Sequence, residues 1–281
     1  MTRLPPPVDV SVPGRPAASP PMPPQRQPGL LLRLPALLLL YLLLLLLGAI
    51  SLFWNLLALP LLWLPPAWGQ RIGRAGIAHG YRLFWAVARA CGMLRLEAEV
   101  LDALRDEPRL VIVANHPSML DALMLVARLP RSACIMKASL LDNVFLGSGA
   151  RLARYVSNAA PLTMIRLAVA DLQRGGQLVM FPEGTRTTEA PLNAFRPGVT
   201  LIAKLSGAPI QTVFIDTASP YLGKGWPLWR LPPLPIVFRV RLGRRFMPQA
   251  DAAAQLRELE AYFRNGVQMP PPGGEPAPPT F

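Results

Sequence analysis

Apolar and polar positions divide the chain into three regimes. From Leu30 to Gln70 apolar residues follow one another almost without a break, and no charged side chain lies between Arg33 and Arg71. A run with no polar face predicts a buried or membrane-embedded helix. A bilayer core takes about 20 apolar residues in one helix, and residues 36–59 satisfy that. Pro60, Pro65 and Pro66 interrupt the run and predict a turn that sends the chain back along the surface. A long basic lead without a small-residue cleavage site argues against a removable signal peptide. Arginines flank the run on both sides (Arg15, Arg26 and Arg33 before it, Arg71 and Arg74 after it), so charge gives no orientation, and spanning and re-entrant placements both stay open.

The next stretch, RIGRAGIAHGYRLFWAVARAC, changes period. At about 100° per residue, Arg71, Arg74, Arg82 and Arg89 fall on one stripe opposite Ile72, Ile77, Leu83, Phe84 and Val87. Two readings fit: a helix lying in the headgroup layer, or a helix packed on the following domain with its arginines in water. Gly73, Gly76 and Gly80 weaken the helix itself. His79 on this stretch has no partner in view.

From residue 94 onward short runs of β-formers (LRLEAEV, RLVIVAN, ACIMK, QLVMF, IQTVFI, IVFRVRL) alternate with helical stretches (SMLDALMLVARL, TMIRLAVADLQRGG, VTLIAKLSG). This alternation predicts an α/β fold with a largely parallel β-sheet flanked by helices, preceded by N-terminal hydrophobic membrane-anchoring helices. The organisation reads as a disordered proline-rich tail over 1–29, membrane-anchoring helices over 30–92, an α/β domain over 93–265 and a second disordered tail over 266–281. A ligand for a proline-binding module is the other reading of the first tail.

Composition narrows the class. The chain is 52% hydrophobic and 16% charged, with a net charge of +13 and a pI near 11.1. That is too apolar for an ordinary soluble domain, so the positive charge points to an anionic membrane surface rather than nucleic acid, for which no basic-aromatic module is present. Cys91 and Cys134 stand alone and read as buried filler in a reducing compartment. With two histidines and no Cys/His cluster, no metal site is expected.

One of those histidines sits in VIVANHPSMLDALML, residues 111–125. RLVIVAN is a buried strand, and Pro117 suits the first position of a helix, which leaves His116 on the turn. Residues five apart on one helix diverge by about 140°, so His116 must lie off the helix for Asp121 to reach it. With the turn folded back, Asp121 accepts from one imidazole nitrogen and the other takes a proton from a hydroxyl. The carboxylate fixes the tautomer and stabilises the imidazolium, as in hydrolytic triads. No serine or cysteine nucleophile is needed if the substrate's own alcohol attacks. A neutral base predicts turnover that falls in acid. The bland alternative is a helix-start aspartate favouring the macrodipole beside a capping histidine.

QLVMFPEGTRTT supplies a second cluster beyond another strand end. Gly184 allows a tight turn with close backbone approach. Arg186 offers a planar fork for phosphate or carboxylate. The competing reading is a polar surface turn with a weak Glu–Arg pair. The basic run FRVRLGRR, residues 238–245, reads as a binder of headgroups or an acidic carrier, or as an alternating strand whose arginines face water.

Taken together, NHPSMLD and FPEGTR resemble the first and third blocks of the glycerolipid acyltransferase family, of the 1-acylglycerol-3-phosphate acyltransferase or lysophospholipid acyltransferase type. The resemblance covers roughly residues 94–245, and the hydrophobic N-terminal helices are similar to the membrane anchor of many members. It implies His116 as general base and Asp121 as its orienting partner. It also implies Lys137, Glu183, Gly184, Thr185 and Arg186 as acceptor-site residues, with Gly198 in the stretch that follows. Acyl-CoA or acyl–acyl carrier protein would be the co-substrate, with no other cofactor. Membrane lipids would be the partners, and the reaction would run on the cytoplasmic side of the inner membrane. Backbone N–H groups at a helix start would stabilise the oxyanion. Two positions depart from the pattern: Asn158 stands where the family has an arginine thought to hold the acceptor phosphate, and Thr212 where it has a second proline. The first departure leaves a non-phosphate lipid acceptor open. The reading from another class is a non-catalytic basic membrane-binding protein, whose activity would survive His116→Ala.

Overall fold

A computed structural model describes residues 22–267 of the chain. The expectations for 1–21 and 268–281 lie outside the described residues. Strands β1 (Leu94–Glu97), β2 (Leu110–Ala114), β3 (Ser132–Met136), β4 (Val156–Ser157), β5 (Gln177–Met180), β6 (Ile210–Asp216) and β7 (Ile236–Phe246) form one sheet. Their order is β1-β7-β6-β2-β5-β3-β4. Every neighbouring pair is parallel except β6 with β7. This is the mostly parallel α/β sheet that the sequence predicts.

The central strands are buried along their whole length, which is why they read as unbroken apolar runs rather than alternating ones. Alternation decides which core each side chain joins. Ile112 and Ala114 of β2 pack with helices α1 (Leu30–Leu61), α2 (Pro66–Ala90) and α3 (Asp121–Arg128) on one face. Val111 and Val113 pack with α5 (Pro161–Gln173), α6 (Gly198–Ser206) and α7 (Ala252–Gly266) on the other. Each fully buried Leu, Ile or Phe in these layers contributes about 1.5–3 kcal/mol. Helix α7 is absent from the sequence reading. Asp251 starts it by accepting from the N–H groups of Ala253 and Ala254, and Leu259 and Phe263 close the second core.

Pro65 and Pro66 do turn the chain, and α2 returns antiparallel to α1, with Ile50 against Gly80 and Trp54 against Gly76. The glycines that weaken α2 as a helix are contact points. A Cβ on Gly76 would collide with the Trp54 ring, one on Gly73 would meet Ala153 Cα at 2.7 Å, and one on Gly149 in α4 (Gly147–Leu152) would meet Trp54 Cδ1 at 3.0 Å. Asn55 ties α1 to the same region, accepting from Gly149 N–H at 2.8 Å and donating to Val144 O.

Helix α2 is thus packed on the domain, and two of its four arginines bond within the protein. Arg74 is 5% exposed and donates to Ala153 O (3.1 Å), Arg131 O (2.7 Å) and Asp171 Oδ2 (2.8 Å). Arg82 donates to Ala127 O at 2.6 Å. Removing one member of a buried ion pair strands the other, so Arg74→Met should lower stability by about 3 kcal/mol, or roughly 6–12 °C in Tm. A thermal melt of the full chain in detergent checks this.

Two further expectations change. Residues 22–29, read as the end of a disordered tail, include a backbone bridge in which Arg26 and Leu234 exchange N–H to O=C bonds of 3.0 Å. The arginines of the basic run on β7 pair within the protein: Arg239 with Glu97 (2.8 Å), Arg241 with Asp216 (2.5 Å), Arg245 with Glu107 (2.8 Å) and Arg244 with Glu258. Each of these arginines has an acidic partner within the protein, so they do not simply face water.

Candidate active site

Strand β2 ends at Ala114, and the chain turns over the carboxyl edge of the sheet before α3 starts at Asp121. Asn115 anchors the turn, donating to Ile215 O at 2.9 Å and accepting from Ile215 N–H at 2.7 Å. The fold-back that the His/Asp spacing requires is present. His116 Nδ1 lies 2.8 Å from Asp121 Oδ2, which also accepts from Ser118 N–H at 2.7 Å. Asp121 is fully buried, and its Oδ1 has no hydrogen-bond partner among the described residues. Burial pushes this carboxyl up; the hydrogen bond and charge of His116 and the Ser118 N–H oppose the rise without cancelling it. With Asp121 ionised, Nδ1 is the donor and Nε2 remains free to accept a proton.

The loop after β5 packs against this turn. Phe181 stacks on the imidazole with centroids 4.0 Å apart and planes at 17°. Glu183 is 3% exposed; Oε1 accepts from His116 N–H (3.0 Å) and the Thr187 hydroxyl (2.9 Å), and Oε2 from Asn193 N–H (3.0 Å). His116 O in turn accepts from Thr187 N–H at 2.8 Å.

The dyad opens onto a cavity of about 1050 Å³ that runs under α1 and α2. His116, Lys137, Thr185, Arg186 and Arg196 are among its polar lining, and Ile50, Trp54, Ile77, Leu123, Ile135 and Ile165 among its apolar lining.

A family model described as Acyltransferase matches residues 95–216, the segment that carries both loops. Over that segment the chain is similar to acyltransferases. Named relatives include a lyso-ornithine lipid O-acyltransferase from Pseudomonas aeruginosa, 32% identical over 50% of this chain and 58% of its own length. Another is a 1-acyl-sn-glycerol-3-phosphate acyltransferase from Limnanthes alba, 26% identical over 66% of each. The chain thus spans little more than half the length of the first of these. Among solved structures, the 1-acyl-sn-glycerophosphate acyltransferase PlsC from Thermotoga maritima has the same fold, with a TM-score of 0.58 at 19% identity over 83% of this chain and 95% of that one.

Within this site, the residues expected from sequence take different places. His116 and Asp121 meet, and Lys137, Thr185 and Arg186 reach the cavity. Glu183 does not line it: three internal donors hold its carboxylate, and it positions the histidine turn instead. Glu183→Gln sets an amide NH₂ against at least one of those donors. We expect a loss of about 1–3 kcal/mol in stability and a lower kcat with little change in acceptor KM. An acceptor-binding carboxylate would raise KM instead.

Gly184 does adopt a left-handed φ of +72°, as a tight turn needs. Arg186 is partly committed, its Nη1 donating to Leu222 O (2.9 Å) and Gly223 O (3.1 Å). At the start of α3 the N–H groups are engaged, Ser118 with Asp121, Met119 with Leu222 O, Leu120 with Ser118 Oγ and Asp121 with Ser118 O, so this helix start offers no free donor to an oxyanion. Asn158 lines the cavity, but its Oδ1 accepts from Ala138 N–H, a structural bond without charge. Thr212 is buried in β6, donates to Arg244 O and lies away from the cavity. Cys134 lines the cavity wall, and burial pushes its thiol up to about 12, so it is no nucleophile. Phe181 and Arg196 are the site residues the sequence reading passed over.

Proposed function

We propose that this protein is a membrane-associated O-acyltransferase that moves a fatty acyl group from an acyl thioester to a lipid hydroxyl, with a lysophospholipid such as 1-acylglycerol-3-phosphate as acceptor. The observation that carries the reading is the His116–Asp121 pair, with His116 on the wall of a largely apolar cavity. The acceptor hydroxyl gives its proton to His116 Nε2 as its oxygen attacks the thioester carbonyl. The tetrahedral intermediate then expels the thiolate, which takes the same proton back from the imidazolium. Ionised Asp121 stabilises that imidazolium.

Membrane association is supported by α1, whose 32 residues have a mean hydropathy of 2.8 in their most apolar window, with 17% of that window buried. Leu31, Leu34, Leu45 and Phe53 are among its exposed side chains. The cytoplasmic face of the membrane is the side where acyl-CoA and acyl carrier protein are available.

A second acceptor class has specific support. Asn158 supplies no charge to the cavity, and the Pseudomonas relative is named for a lyso-ornithine lipid rather than a phosphate ester. Membranes containing the full chain should be given lysophosphatidate and a labelled acyl thioester, as CoA or carrier-protein ester in parallel. Label in phosphatidate is the expected result. Label in another lipid alone would move the assignment to the second class, and no labelled lipid from either donor would overturn it.

A further inference from the structure

Among the described residues, three cations line the cavity, Lys137, Arg186 and Arg196, and no aspartate or glutamate does. A cleft with apolar walls and one sign of charge concentrates the field on whatever anion enters. The three cations are not equally available. Arg186 gives Nη1 to the carbonyls of Leu222 and Gly223, which holds the 221–223 segment over the site. Arg196 has an exposed side chain whose guanidinium makes no hydrogen bond or ion pair among the described residues, although its main-chain N–H is fixed to Pro182 O at 2.8 Å.

That guanidinium lies against the turn. It lies across Gly184, where a Cβ would collide with Nε and come within 2.8 Å of Cδ. Gly184 is required by its φ of +72°, and the Arg196 side chain lies over its open face. Directly after Arg196, α6 begins; Pro197 and Gly198 at its N-terminus also line the cavity, adding the positive end of a helix to the same spot.

We propose that Arg196, backed by the N-terminus of α6, holds the anionic group of the acceptor, a phosphate monoester or a carboxylate, in place of the arginine that Asn158 replaces. The inference rests on the acyltransferase reading and names its acceptor chemistry. A planar guanidinium matches either anion bidentately, and the lone ammonium of Lys137 does not.

The test uses the full chain in detergent or native membranes, with Arg196→Gln and Arg196→Lys. Three acceptors are compared: lysophosphatidate, a lysolipid whose headgroup carries an amino-acid carboxylate, and neutral monoacylglycerol. We expect Arg196→Gln to lower the kcat/KM ratio of the preferred anionic acceptor over monoacylglycerol by roughly tenfold to a hundredfold, mainly through KM. Arg196→Lys should fall between, since it keeps charge and loses the fork. The arm that loses more tells phosphate from carboxylate. An unchanged ratio, or equal loss on all three acceptors, overturns the proposal.

Binding of lysophosphatidate and of the carboxylate lysolipid without acyl donor, by titration calorimetry, separates this inference from the catalytic reading. Weaker binding of an anionic lipid in Arg196→Gln sustains it even if no acyl transfer is seen. Unweakened binding beside intact acyl transfer sinks it alone.

Discussion

His116→Ala should lower acyl transfer by on the order of 10²–10⁴-fold, the range a positioned general base supplies. The variant should still fold. Only the side chain is lost; the main-chain N–H to Glu183 and O to Thr187 bonds that hold the turn remain. The imidazole is partly exposed, so no large cavity forms in the core. Its removal leaves Asp121 Oδ2 with one hydrogen bond, from Ser118 N–H, in place of two, a cost of about 1–3 kcal/mol. A thermal melt beside the assay separates the two effects. If turnover survived in a folded His116→Ala protein, the proton would leave by another route and His116 would not be the base.

What could be read from sequence was local chemistry and strand burial. The two loop motifs were legible because few side chains can do the work and because each follows a run apolar enough to be a buried strand. What was not legible depended on partners far along the chain. A helical wheel places Arg74 among surface arginines, because it contains no information about Asp171, to which Arg74 is bound across the packed helices. The glycines of α2 lower helix propensity locally, and only the Trp54 ring and Ala153 explain them.

Glu183 belongs to a motif resembling an acceptor site, yet it is turned inward because closure of its loop brings the N–H groups of His116 and Asn193 onto one carboxylate. The arginines of β7 alternate as an exposed strand would, but acids from β1, β6 and α7 meet them. Arg196 stood in a helix-start sequence, and its approach to Gly184 needed the tertiary turn to become visible.

Asp121→Asn should separate catalysis from stability. Ser118 N–H points at the oxygen that also faces His116, so the variant amide is held with its own oxygen in that place and its NH₂ where Oδ1 now lies. The imidazole tautomer therefore survives, and what disappears is the negative charge opposite the forming imidazolium. Loss of such a charge-assisted partner in a dry site should lower kcat by on the order of 10²-fold.

Stability should respond differently. Burial raises the Asp121 carboxyl above its unfolded value. The stability associated with this group is thus fully present below the unfolded pKa and is lost as pH rises through the folded one. Asparagine carries no such penalty, although its NH₂ inherits the partnerless position of Oδ1. The Tm of Asp121→Asn relative to the native chain should accordingly move upward as pH rises from about 4, the ordinary carboxylate range. Melts of both proteins across that window, paired with single-turnover rates, check the two halves. A variant that lost stability in step with turnover at every pH would make Asp121 a structural carboxylate and remove it from the chemistry.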